Sequence, residues 1–152
     1  MPDGVRLYRP ADRDAVIALW QACSLTRPWN DPGADIDRAL ENPTSVLLVH
    51  DDDVDQVPTV TGVIMAGYDG HRGWMYYLGT DPDRRGQGIA RRLVAAAETV
   101  LRDLGCPKVE LMVRSNNHAA LGFYDGLGYT DQQVTVRAKW LITPPADDST
   151  RG

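Results

Sequence analysis

Few cysteines, no long apolar run and no excess of positive charge narrow what this chain can be before any motif is considered. Its two cysteines, Cys23 and Cys106, fall in an apparent helix and at a turn before Pro107. That placement suits separate, reduced thiols, and neither has the spacing of a metal site. No stretch approaches the ~18 apolar residues of a membrane span, and residues 1–10 lack the apolar core of an export signal. The cytoplasm is the expected location. The formal net charge of -5 argues against general binding to a nucleic-acid backbone. A P-loop is excluded because no Gly-Lys pair exists, and a dinucleotide fingerprint fails because Arg91 stands where its third glycine belongs. Asp51, Asp53 and Asp55 open like a calcium loop, but Gln56 and Gly62 occupy the positions that need Gly and Glu. A solvated turn, and no metal, is expected there. No repeat or low-complexity linker breaks the chain.

What is present suits one globular domain. The chain has 152 residues, 43% of them hydrophobic, enough to bury about two thirds of the unfolded surface. We assign residues 4–143 to the domain and 144–152 to a polar tail. Residues 5–9 alternate as an edge strand. Asp12 is placed to cap a helix whose Ala15, Val16, Leu19, Trp20 and Cys23 share one face. Prolines and a glycine break residues 26–33, and a short helix follows over 35–42. Strands are expected at 45–50, 59–68 and 74–80, joined by an acidic turn and by Asp69-Gly-His-Arg-Gly73. The period then becomes helical over 86–104, with Gly105 as stop. A strand at 108–113, a helix at 117–126 and a final alternating strand at 134–142 complete the order β-α-α-β-β-β-α-β-α-β. The strand–helix–strand crossover from 74 to 113 should pair two strands in parallel. The fold class is therefore α/β, with a mixed sheet.

The segment Leu78-Gly-Thr-Asp-Pro-Asp-Arg-Arg-Gly-Gln-Gly-Ile-Ala90 ends a strand and opens the longest helix. The first N–H groups of a helix lack internal partners, and the peptide dipoles add positive charge there. Gly86 and Gly88 let a ligand approach those donors, and Arg84, Arg85, Arg91 and Arg92 bracket the glycine pair. A phosphate or pyrophosphate suits such a turn. A plain glycine-rich connection is the competing reading of the same residues.

Arg85-x-x-Gly88-x-Ala90 resembles the coenzyme A motif of GNAT acetyltransferases, Arg/Gln-x-x-Gly-x-Gly/Ala. Asn117, Ala120, Tyr124, Gly128 and Tyr129 resemble that family's second motif, in the right order and spacing. The resemblance covers roughly residues 5–142. Residues 27–32, 67–73 and 76–79 look closer still to its YpeA-type bacterial branch. The resemblance implies a GNAT acyl-CoA N-acyltransferase fold with a splayed strand pair, and acetyl-CoA as cosubstrate. It implies that the turn formed by Arg85, Gly86, Gln87, Gly88, Ile89 and Ala90 holds the pyrophosphate. Main-chain groups of Leu78 and Thr80 would pair with the pantetheine arm, and Asn117 would bond the same ligand. Tyr124, seven residues on and on the same helical face, would reach the thioester sulfur and protonate the leaving thiolate. A core tyrosine is the alternative reading.

Such an enzyme transfers acetyl directly to a primary amine, on a small molecule or on a protein lysine or N-terminus. A main-chain N–H at a bulge near Leu78 would stabilise the oxyanion. Cys106 is not needed as an acyl carrier. Candidates for a base are Glu110, Tyr76, Tyr77, Asp69 and His71, with Met112 where some relatives carry glutamate; none is chosen. Trp29, Asn30 and Asp31 fit an acceptor loop, with Trp29 equally placed to plug the sheet. His50 and His118 suggest no metal. A longer acyl donor and a non-catalytic acyl-CoA-binding regulatory module are the alternatives. A homodimer is compatible, dimers being the commonest oligomers.

Overall fold

A computed structural model of the chain describes residues 1–143, and the polar tail expected from residue 144 lies outside the described residues. Five strands, β1 (Val5–Leu7), β2 (Ser45–Val54), β3 (Val57–Tyr68), β4 (Gly73–Thr80) and β5 (Val109–Glu110), lie side by side in chain order. All neighbours are antiparallel except β4 and β5, which are parallel across the crossover. Helices α1 (Arg13–Ala22) and α2 (Pro32–Glu41) cover one face of the sheet, and α3 (Ile89–Asp103) covers the other. A fourth helix, α4 (His118–Gly126), lies against the α3 side.

The apolar run in β2 follows from this sandwich, because successive strand side chains point to opposite faces. Leu47 and Val49 pack with Val16, Trp20 and Ile36 of α1 and α2, while Leu48 packs with Leu93 and Leu101 of α3. The start of α3 is seated by a missing side chain. A Cβ on Gly62 of β3 would come within 2.7 Å of Ile89 and 2.8 Å of Leu93. Glycine there lets the first turn of α3 press against the sheet, which aims the helix N-terminus past the end of β4.

Three sequence expectations change. The β2–β3 hairpin is longer than expected and turns on Asp55 and Gln56 alone, with φ of 51° and 66°, as a two-residue hairpin requires. Asp51 and Asp52 therefore stand in β2, where they pair with Arg6 and Arg84 instead of forming a solvated turn. Asp12 occupies the cap position of α1 but makes no capping bond. A 3₁₀ turn over Pro10–Asp12 directs its carboxylate back to the Arg9 N–H at 2.7 Å and to Arg6 at 2.8 Å. Lastly, the segment expected as a final strand, residues 134–142, is exposed throughout and pairs with nothing in the described sheet. Its alternating pattern suits a strand, but among the described residues no sheet edge receives it.

Only Gly73 with Val109 and Trp74 with Glu110 are in register between β4 and β5. Beyond them the two strands part, and β4 continues to Thr80 without a neighbour on that side. This is the splayed pair, and it opens a slot along the main chain of β4. No helix among the described residues is long and apolar enough to cross a membrane.

Candidate active site

The turn after β4 is built to leave donors free. Pro82–Arg84 form one 3₁₀ turn, held by the Asp81 carboxylate accepting from the Asp83 N–H at 2.9 Å. Gly86 and Gly88 follow with φ of 80° and 78°, a left-handed conformation that glycine adopts without strain. Gly88 is the N-cap of α3 and no side chain caps the helix. The first helical bond runs from the Arg92 N–H to the Gly88 carbonyl at 3.1 Å, so the N–H groups before Arg92 point outward without intrahelical acceptors. The helix thus begins at Ile89, three residues later than its apolar period suggests, because Gly86, Gln87 and Gly88 form the loop itself.

Behind this loop lies a cluster that sequence inspection missed. His50 of β2 is buried, with Nδ1 2.8 Å from the Thr61 hydroxyl and Nε2 3.2 Å from an Arg92 nitrogen. The Thr61 hydroxyl is within reach of the His50 carbonyl, so it donates there and accepts from Nδ1–H. That leaves the Nε2 lone pair to accept from Arg92. The same guanidinium donates to the Gln87 carbonyl at 3.3 Å, tying the loop to the sheet. Arg92 Nε is buried with no hydrogen-bond partner among the described residues. An unpaired buried donor of this kind costs about 1–3 kcal/mol. The positive charge of this guanidinium, beside uncapped helix N–H groups, fits a pyrophosphate.

Burial holds the His50 pKa below the ordinary imidazole value, and repulsion from Arg92 and Arg84 adds to this against the attraction of Asp52 and Asp51. The unfolded chain therefore binds a proton at His50 near pH 6.5, while the folded chain resists it. Stability is full above that pH and is lost as pH falls toward the lower folded-state value. Urea unfolding at pH 7.5 and 5.5 should show this loss, and His50→Gln should flatten the difference over that window. An equal slope in both proteins would remove His50 as the cause.

Strand β4 carries the expected bulge. Val63 pairs with Gly79 and Met65 with Tyr76, so Ile64 alone opposes both Tyr77 and Leu78. Tyr77 has φ of 57°, a costly conformation for a bulky residue. Three contacts from the other layer hold it. Its ring stacks on Trp20 at 4.1 Å, its carbonyl accepts from Trp20 Nε1 at 3.0 Å, and its hydroxyl donates to Asp35 at 2.6 Å. Trp20 and Asp35 gave no functional signal in the sequence, because their partner lies far along the chain. Thr80 stays in register with Gly62, and its carbonyl accepts from the Cys23 thiol at 3.1 Å.

Tyr124 of α4 packs beside the α3-side core together with Leu78. Its ring meets Phe123 and Tyr129 edge-on, at 5.0 and 5.5 Å. Tyr129 in turn donates to Glu98 at 2.6 Å, pinning the end of α4 to α3. The Tyr124 hydroxyl makes no hydrogen bond among the described residues, and burial pushes its pKa up to about 12. Asn117 is the N-cap of α4, its side-chain oxygen accepting from the Ala120 N–H at 3.1 Å. This leaves the side-chain NH₂ as the group that can reach a ligand.

On the opposite side of the splay lies a cleft of about 530 Å³, where Trp29, Asn30, Asp35, Tyr76, Tyr77 and Met112 converge between Arg27 and Arg114. Two of the three acceptor-loop residues are therefore in the cleft. The third, Asp31, caps α2 through the Ala34 N–H. Trp29 is buried and also lines the cleft, so it plugs the α1–α2 side of the sheet while keeping one edge at the cleft. Of the base candidates, Glu110 is engaged by Arg72 at 3.3 Å and lies outside the cleft. Asp69 is consumed by the N–H groups of His71 and Arg72 in the turn. Asp35 is the one carboxylate lining the cleft among the described residues.

A loop of uncapped helix donors, a bulged strand beside an open slot and an aromatic-lined cleft meet where two parallel strands separate. The profile described as "Acetyltransferase (GNAT) family" matches residues 14–129. The chain belongs to this family. It is 45% identical over 138 residues to an acetyltransferase of Pectobacterium atrosepticum, covering 91% of this chain and 95% of that one. It is 47% identical over 139 residues to an acetyltransferase of Sodalis glossinidius, with the same coverage. Among solved structures it resembles AAC(6')-Iy in complex with the bisubstrate analogue CoA-S-monomethyl-acetylneamine. That match has a TM-score of 0.75 at 15% identity and covers 91% of this chain and 97% of the other. The likeness in structure is one of fold: the mixed α/β GNAT architecture, reached here with five described strands and four helices.

Proposed function

We propose that this GNAT acetyltransferase binds acetyl-CoA along the β4 slot and transfers its acetyl group directly to a primary amine held in the Asp35 cleft. The observation that carries this reading is the Gly86–Gly88 turn, whose positive-φ glycines and uncapped N–H groups leave an anion site with Arg92 behind it. Arg85, Gly86, Gln87, Gly88, Ile89 and Ala90 would hold the pyrophosphate, with Leu78, Thr80 and Asn117 along the pantetheine. The carboxylate of Asp35, oriented by the Tyr77 hydroxyl, is placed to hold the incoming ammonium. The free N–H groups of a bulge are suited to an oxyanion, since the extra residue of a bulge is left out of the ladder. Trp20 and Tyr77 keep that donor aimed. Tyr124 faces the leaving sulfur.

The cleft favours a small amine, its aromatic walls being matched to a compact acceptor. The YpeA-type branch rests on residues 27–32, 67–73 and 76–79, two of which stretches supply cleft residues. A cytoplasmic setting is supported by the two unpaired thiols.

Acetyl-CoA should bind and raise the melting temperature. Ligand at 100 times its Kd adds about 2.7 kcal/mol, which for a chain of this size is about 5–10 °C. A panel of primary amines should then release free thiol from acetyl-CoA. Absence of binding at millimolar coenzyme would end the proposal. Binding without turnover on any amine would favour the regulatory module.

A further inference from the structure

The cleft beside the bulge carries more positive charge than the binding of an ammonium requires. Its described lining holds two guanidiniums, Arg27 and Arg114, against the single carboxylate of Asp35, in a chain whose formal net charge is -5. Other arginines are engaged by carboxylates: Arg6 by Asp12 and Asp51, Arg72 by Glu110 and Arg84 by Asp52. Arg27 and Arg114 have no ion-pair partner among the described residues. Arg27 is half-buried, and its Nη1 donates to the Ser24 carbonyl and, at 3.0 Å, to the Thr26 carbonyl. Those bonds orient the guanidinium through one nitrogen and leave the donors on Nη2 and Nε for another acceptor. Arg114 follows β5, past the point where the parallel pair parts, and is exposed.

Asp35 can meet a cation at the same time. The Tyr77 hydroxyl occupies its Oδ2, while Oδ1 lies 3.5 Å from Arg38 of the same helix, whose side chain is 68% exposed. A long, exposed pair of this kind contributes little, so Oδ1 stays open to an ammonium. We infer that the acceptor is a compact primary amine that also carries an anion, a carboxylate or a phosphate. Its ammonium meets Asp35 and its anion meets Arg27 and Arg114, while Met65, Tyr76 and Met112 wall the body of the molecule. A guanidinium fits either oxyanion through paired N–H donors. The same two arginines repel a second cation, which turns away polyamines and lysines set among basic residues. Arg27 and Arg114 thereby determine specificity. The transfer itself rests on the proposed function, whereas the charge pattern of the ligand can be read from binding alone.

The test uses the full chain and pairs of amines that share a skeleton and differ in the anion: γ-aminobutyrate with butylamine, tyrosine with tyramine, and phosphoethanolamine with ethanolamine. Thiol release from acetyl-CoA is followed for each amine, and its binding to protein saturated with coenzyme A is measured by calorimetry. In at least one pair the anionic member should be favoured by about 10-fold or more, as hydrogen bonds to a charged group allow. Whether a carboxylate or the phosphate pair responds identifies the anion. The Arg27→Gln/Arg114→Gln double variant should raise KM for the favoured amine more than it lowers kcat, and should bring the two members of the pair together. Equal or better use of the anion-free amine in every pair overturns the inference and leaves amine acetylation standing. A preference that survives in the double variant overturns it too, as does the absence of binding by every amine. Preferential binding without thiol release from any amine supports the anion site and counts against the proposed transfer. If the double variant fails to fold, Arg114→Gln alone should weaken the preference, and a full preference there overturns the inference.

Discussion

Ala90→Asp is expected to abolish useful coenzyme binding while leaving the protein folded. Ala90 is the second residue of α3, directly behind the Gly88 cap. A carboxylate in the first turn of a helix is favoured by the dipole by about 0.3–1 kcal/mol, so the melting temperature should hold or rise slightly. The same carboxylate would occupy the donors meant for the pyrophosphate and repel it. At about 4 Å and an effective dielectric constant near 20 the repulsion is about 4 kcal/mol, so a loss of ~10²–10³-fold in affinity is expected. It should be partly relieved by salt, and smaller in Ala90→Asn. Gly88 looks from the sequence like the natural position for this experiment. Its φ of 78° makes it unsuitable, because any side chain there strains the loop and confuses lost binding with lost structure. Calorimetry on a folded Ala90→Asp that binds like the parent would show that the anion site lies elsewhere.

Tyr124→Phe should lower turnover by about 10–100-fold with little change in coenzyme affinity. The sequence suggests full proton donation to the leaving thiolate, and burial changes that expectation. With its pKa pushed up to about 12, the phenol is a far weaker acid than a thiol of pKa ~8.5. Complete transfer would be uphill by about 5 kcal/mol. On the proposed reading the hydroxyl would act by donating a hydrogen bond to the developing negative sulfur, an interaction with a charged group that contributes about 1.5–3 kcal/mol. Water can deliver the proton afterwards. The ratio of parent to variant should then stay flat from pH 7 to 10, since the phenol does not titrate there. Stability should not fall, because the hydroxyl has no hydrogen-bond partner to lose among the described residues. Turnover per folded molecule equal to that of the parent would return Tyr124 to a packing role.

Those two residues were legible because their signals are local. Gly86, Gly88 and the helical period after them mark a strand-to-helix turn within a dozen residues, and Asn117 to Tyr124 span two turns of one helix. The order of strands and helices up to α4 followed from proline, glycine and period in the same way. Sequence patterns fared worse where a distant partner changes what a residue does. The acidic run after His50 looks like a solvated turn until Arg6 and Arg84 are seen beside it, allowing Asp51 and Asp52 to stay in a strand. Asp12 looks like a cap until Arg6 draws its carboxylate away.

By itself, the sequence determined the fold class, the family motifs and the position of the glycine turn before α3, because each depends on contacts within one or two turns of chain. Only the tertiary structure decided that Trp20, 57 residues from Tyr77, holds the bulge. It also decided that Asp35 is the cleft carboxylate, and that His50 braces Arg92 across 42 residues. Those pairings are set by how α1, α2 and α3 seat on the two faces of the sheet, and side-chain spacing along the chain carries no record of them. The alternating segment at 134–142 shows the same limit. Its pattern specifies a strand, but which edge it joins depends on a surface that local sequence does not contain.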